Sequence, residues 1–251
     1  MRNFSPITKV FIAMVVVSGA AVLFKALMHP QPVNLIEFLA LLIISVVASR
    51  LRVKIPGVTG TMSVNLPFIL IGVALMGTAE ALIIGCASTL AQCLPRAGKK
   101  FNWIQGVFNV ANMALTVEAS RLIYGSTTLN SIITSHSLLL CVAGAGFFAV
   151  NTVPVAVVIA LTEKKNMLRA WLPMFQLSFP YYLGSAGVAG VAITVSNHLG
   201  WQGPLLVLPL MLGVFYSYRR YFSATATVEK VENKRPVQSA AATPAASAAK
   251  G

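Results

Sequence analysis

The chain has 251 residues, 57% of them hydrophobic and only 10% charged, and its 19 Lys and Arg against six Glu leave a formal net charge of +13. Soluble domains run about 45–50% apolar and about 25% charged, so this composition excludes an ordinary water-soluble fold and predicts an integral membrane protein. The positive residues sit between apolar runs, where the positive-inside rule explains them without a nucleic-acid partner.

The first apolar run, 10–28, follows Arg2 and Lys9. It lacks a convincing A-x-A cleavage site, so an uncleaved helix is expected in place of a signal peptide. A second run covers 33–49. Between it and the third lies "RLRVKIPGVTGTMSVN", whose Pro56-Gly57 and Gly60 mark turn chemistry. Thr61 or Ser63 is expected to cap the helix that follows. A helix N-terminus beside Arg50, Arg52 and Lys54 also suits an anion such as a lipid phosphate. Arg50, Arg52, Lys54, Gly57, Gly60, Thr61 and Ser63 therefore form a candidate cytoplasmic contact for anionic lipid, with a capped turn as the competing reading. Asn65 is the residue of this stretch expected to reach the interior.

Runs 62–76 and 79–94 are short and separated only by Gly77-Thr78. They read as two spans or as a tight hairpin that does not cross fully, since a span needs about 20 residues. Glu80 and Glu37 are expected near hydrated outer ends.

The fifth run, 103–124, contains "NWIQGVFNVANMALTVEASRL". Gln105, Asn109, Asn112, Thr116 and Ser120 share one face at 100° per residue. Polar side chains are costly against lipid, so this stripe is expected to face the bundle interior. It serves there either for interhelical hydrogen bonds or as the lining of a ligand or permeation cavity. Glu118 and Arg121 read as an i,i+3 ion pair near the outer interface.

In the sixth run, 136–161, Asn151 and Thr152 precede Pro154, a residue that can kink a helix. Asn151 is positioned to meet Asn109 or Asn112. The candidate interior polar site is thus Gln105, Asn109, Asn112, Thr116 and Asn151. The connection 162–177 mixes cations with Met167, Leu168, Trp171 and Leu172 and reads as a helix lying in the inner headgroup layer. The seventh run, 178–198, opens with Pro180, Tyr181 and Tyr182, the tyrosines fitting an interfacial aromatic belt. Gly184, Gly187 and Gly190, with Ala186, permit close helix packing. The eighth run is 203–218, and an Ala/Ser/Pro-rich tail over 223–251 is expected to be disordered and cytoplasmic.

Charge placement supports this count. Connections 50–61, 95–102, 162–177 and the segment from Arg219 are basic, whereas 29–32, 77–78, 125–135 and 199–202 hold no Lys or Arg. Eight spans with both termini cytoplasmic satisfy that alternation. The predicted fold is therefore an all-α, polytopic membrane helical bundle over 1–222. No Asp occurs, the His residues 29, 136 and 198 are scattered, and no phosphate-loop, zinc or nucleophile-elbow motif is present. Cys86, Cys93 and Cys141 show no paired framework and read as small core residues. A non-enzymatic protein without cofactor or metal is expected.

Several stretches together resemble the N-terminal multi-pass, MASE-like sensor region of bacterial HD-GYP and GGDEF signalling proteins. They are "LRVKIPGVTGTMSVNLPFILIGVAL", "FNVANMAL", "AVNTVPVAVVIALTEKKNMLRAWL", "SFPYYLGSAGVAG" and "LLVLPLMLGVFYSYRRYF". The resemblance covers roughly residues 35–222 and implies a bacterial inner-membrane sensor or scaffold. In that family a cytoplasmic enzyme of cyclic-dinucleotide turnover follows the last helix; here a tail of about thirty residues stands in its place. Any such chemistry is therefore expected on another chain, a cytoplasmic signalling partner. The rival expectation is a small-molecule transporter or substrate-binding membrane component using the polar stripe.

Overall fold

The computed structural model describes residues 4–29, 32, 34–54, 61–95, 101–199, 207–213, 215–217 and 220. The architecture is all-α apart from one small hairpin. Its elements are α1 (Pro6–Met28), α2 (Leu35–Arg50), β1 (Arg52–Lys54), β2 (Thr61–Ser63), α3 (Leu66–Leu75), α4 (Thr78–Cys93), α5 (Trp103–Tyr124), α6 (Thr127–Ile132), α7 (His136–Glu163) and α8 (Met167–Leu199). A further apolar helix covers Val207–Ser217. Local sequence explains most starts. The side chains of Ser5, Asn34, Asn102, Ser126 and Ser135 each accept a backbone N–H of the first turn they precede.

Among the described residues two helices, α1 and α7, are long and apolar enough to cross a membrane. This supports membrane association. The arrangement has α7 packed along α8 and α5, α4 against α5 and α2, and α1 along α5. At the centre lies α3, whose residues Leu66 to Val73 are all buried. Ten residues make a helix about 15 Å long, half the roughly 30 Å apolar core of a bilayer. A helix that is apolar all round and this short is held by its neighbours on every side. Gly144 of α7 lets Ala186 of α8 approach, since a Cβ there would lie 2.9 Å from the Ala186 Cβ and 3.8 Å from Leu70. At the periphery, α1 presents Thr8, Val15, Gly19 and Ala26 inward, and Gly19 rests against the Ala111 backbone.

The structure corrects several expectations. The connection expected as a turn carries two short strands, and the third run opens as strand and not helix: β1 and β2 pair antiparallel, with Arg52 opposite Ser63 and Val53 opposite Met62. Three-residue strands carry too little alternation to be read from sequence. Thr61 and Ser63 therefore do not cap α3. Asn65 holds the cap position, and its side chain makes no capping bond. The predicted connection 162–177 does not form a separate interfacial helix. From Met167 its residues belong to one continuous α8, held on α7 by Trp171, which donates Nε1 to the Thr152 hydroxyl at 2.9 Å. Phe148 seats this half of α8 among Trp171, Phe175 and Phe179. A Cβ added at Gly184 or Gly187 would meet no described residue within 4 Å, so of the three glycines predicted to permit close packing only Gly190 does so, against Ser137. Gly57, Gly60 and the tail lie outside the described residues.

Candidate functional site

The α3–α4 hairpin needs cations at both of its C-terminal ends, and arginines supply them. Helix α3 ends with carbonyls that have no partner within the helix, at the negative end of its dipole. Arg121 of α5 donates Nη1 to the Val73 carbonyl at 2.7 Å and Nε to the Thr78 hydroxyl at 2.9 Å. The i,i+3 ion pair is therefore replaced: Glu118 pairs instead with Lys25 of α1 at 3.9 Å. Glu80, expected in a hydrated position, is 7% exposed, and its Oε2 has no hydrogen-bond partner among the described residues.

At the other end, Pro95 has no N–H to offer the Ala91 carbonyl four residues earlier. Arg50 fills that role with Nη1 at 2.8 Å, and Arg52 donates Nη2 to the Leu94 carbonyl at 3.3 Å. Two members of the predicted basic cluster thus hold the end of α4. Of Lys54 and Thr61 only the strand placement is described.

Near this second end, where α3 begins beside the last turns of α4, lies a partly open cavity of about 90 Å³. Its apolar wall is Leu66, Ile69, Met113 and Phe147; its polar wall is Ser63, Asn65, Gln92, Asn151, Tyr181 and Tyr182. Two hydrogen-bond chains build the polar wall. In the first, Tyr181 donates to the Ser63 carbonyl at 2.7 Å and ties α8 to the end of β2. The Ser63 hydroxyl donates to Asn65 Oδ1 at 2.6 Å, Asn65 Nδ2 to the Ser88 hydroxyl at 3.1 Å, and Ser88 to the Gly85 carbonyl at 3.0 Å. Irregular backbone inside a bundle requires such partners.

The second chain joins α5, α7 and α8. Asn112 Nδ2 donates to the Asn151 backbone carbonyl at 2.9 Å and to Asn151 Oδ1 at 3.3 Å, and Asn151 Nδ2 donates to the Tyr182 hydroxyl at 2.8 Å. The backbone carbonyl can only accept, so Asn112 must present its NH2 group there. That orients Asn151 in turn.

The predicted interior residues divide. Asn112, Thr116 and Ser120 are buried, Asn109 is half-buried and Gln105 is exposed. Asn109 donates to the Cys93 sulfur at 3.4 Å, Ser120 to the Ala143 carbonyl at 3.2 Å, and Thr116 back-bonds to Asn112 at 2.7 Å. The stripe makes hydrogen bonds to α4 and α7, and from the predicted interior set only Asn151 lines the cavity. Sequence reasoning missed Gln92, and it placed Tyr181 and Tyr182 in an aromatic belt. Tyr181 is instead 4% exposed and faces the core. The available signal was the tyrosine pair following Pro180 among small residues, which are packing residues and not interfacial anchors.

Among the described residues no group of three or more His, Cys, Asp or Glu is gathered as a metal site would require. No family model, no curated protein and no solved structure matches this chain.

Proposed function

We propose that this protein is a multi-pass, non-catalytic membrane module that senses a small molecule in the cavity at the start of α3. The observation that carries this reading is the convergence of five separate stretches on one cavity. "SVN" (63–65), Gln92, Met113 of "VANM", Asn151 of "AVN" and "PYY" (180–182) come from five parts of the chain, and each puts at least one side chain on its wall. Four of the five belong to the stretches that resemble the bacterial sensor region. A short internal helix with a polar pocket at its start is also where membrane proteins build ligand sites.

Membrane insertion accounts for the distribution of side chains. Large apolar groups such as Val10, Val17, Phe24, Ile43 and Val191 are more than half exposed, while Ser45, Ser49, Ser88, Asn112, Thr116 and Ser120 are buried. Water would penalise that arrangement, and lipid favours it. Its eight apolar segments, with α3 and α4 entering and leaving from one face, put both termini and the Arg50 end in the cytoplasm of a bacterial inner membrane, where the basic face meets anionic lipid and a cytoplasmic partner. Phe68, Leu70, Ile71, Leu140 and Ala186, each essentially inaccessible, belong to one continuous apolar core with the cavity residues Leu66, Ile69, Met113 and Phe147. That packing favours sensing over transport.

Accessibility tests the reading. Gln92→Cys, in a chain with Cys86, Cys93 and Cys141 replaced by Ala, is exposed to a membrane-impermeant thiol reagent in inverted and right-side-out vesicles. Labelling in inverted vesicles alone is expected. Labelling from both faces would favour a transport path, and labelling from neither would remove the cavity as a ligand site.

A further inference from the structure

We infer that the cavity selects a small uncharged molecule carrying a hydrogen-bond acceptor, such as a carbonyl oxygen, on a compact apolar body; this rests on the proposed sensing role. The second hydrogen-bond chain runs in one direction. Asn112 donates to Asn151, and Asn151 donates to the Tyr182 hydroxyl. A phenol that accepts from an amide keeps its own proton to donate. Among the described residues the Tyr182 proton has no acceptor, and both Tyr182 and its donor Asn151 line the cavity. Tyr181, its neighbour on that wall, has already spent its proton on the Ser63 carbonyl.

The rest of the wall agrees. Gln92 lines the cavity and its amide bonds to no other described residue, and Asn65 and Asn151 each keep one amide hydrogen beyond those used above. Among the described residues no charged side chain lines the cavity. An ion would therefore enter without a counter-charge, at a cost in desolvation far above that of a neutral carbonyl. Leu66, Ile69, Met113 and Phe147 supply the apolar half. A volume of about 90 Å³ is below the roughly 150 Å³ of a cavity that holds benzene, which sets the size at a few heavy atoms.

Three probes of one shape separate the chemistry: acetone (neutral acceptor), acetate (anion) and isobutene (no acceptor). Binding is measured by saturation-transfer NMR on the full chain in lipid nanodiscs, for the wild type, Tyr182→Phe and Ile69→Phe. Acetone is expected to bind the wild type and to bind Tyr182→Phe about tenfold more weakly, the scale of one buried hydrogen bond. Isobutene is expected to bind both alike, and acetate neither. The carbonyl stretch of 13C-acetone on the wild type should lie below its value in empty nanodiscs, a readout that does not depend on how well the variant folds. Equal acetone binding in wild type and Tyr182→Phe, an unshifted carbonyl band, or acetate binding tighter than acetone would each overturn the inference. In those cases the cavity would still stand as a site if Ile69→Phe, which fills it, abolishes binding of the probes. If no probe binds the wild type, the inference and the sensing role fail together.

Discussion

Replacing Arg121 with Gln tests whether the central hairpin is held by a cation at the end of α3. The guanidinium makes two charge-assisted bonds, 2.7 Å to the Val73 carbonyl and 2.9 Å to the Thr78 hydroxyl. Each such bond contributes about 1.5–3 kcal/mol. The side chain is only partly buried, so the lower end applies and the expected loss is about 3 kcal/mol. For a chain of this length that corresponds to a fall of about 6–12 °C in the unfolding midpoint, read by circular dichroism in one detergent. Arg121→Lys should fall between, because an ammonium keeps the charge but lacks the fork that reaches both acceptors. Glu118→Gln separates this account from the i,i+3 ion pair. Its partner is Lys25 at 3.9 Å, with the lysine side chain 75% exposed, and exposed pairs contribute about 0–1 kcal/mol. If Arg121→Gln and Glu118→Gln shift the midpoint equally, or if Arg121→Gln stays within a degree of wild type, the capping argument is wrong.

Gly19→Val should force α1 away from α5, because even a Cβ would sit 2.5 Å from the Ala111 carbonyl oxygen; a cost of about 1–3 kcal/mol is expected in the same melt. Tyr181→Phe should cost about 1–2 kcal/mol, since it leaves the Ser63 carbonyl buried without its donor; an interfacial tyrosine would show almost no change. Lys164 ends α7 at φ 52°, in the left-handed region. Lys164→Gly should therefore stabilise the chain by about 0.5–1 kcal/mol, seen as a small rise in the midpoint.

The positions of four helices were legible from hydropathy alone. The runs 33–49, 79–94, 103–124 and 136–161 fall within two residues of α2, α4, α5 and α7 at each end, because an apolar run bounded by polar residues is a local property of the chain. The inward face of α5 was legible for the same reason, as 100° spacing put Asn112, Thr116 and Ser120 on one side and all three are buried. The Asn112–Asn151 contact could be anticipated only as a pairing of polar residues on two helices. Its direction, which leaves Tyr182 with a spare proton, depends on a backbone carbonyl that no sequence pattern exposes.

What sequence missed shares one physical cause. Arg121 and Glu118 are neighbours on a helix, and local spacing made them a pair; the carbonyl left free at the end of α3, 48 positions earlier, draws the guanidinium instead. Ser63 looked like a helix cap, yet it ends a strand, where Tyr181 and Asn65 hold it and Ser88 in turn holds Asn65. Composition and periodicity determined that this chain is helical, apolar outside and polar along chosen inner faces. Tertiary structure decided which polar group meets which, because unsatisfied donors and acceptors in a dry interior take the nearest partner in space and not in sequence.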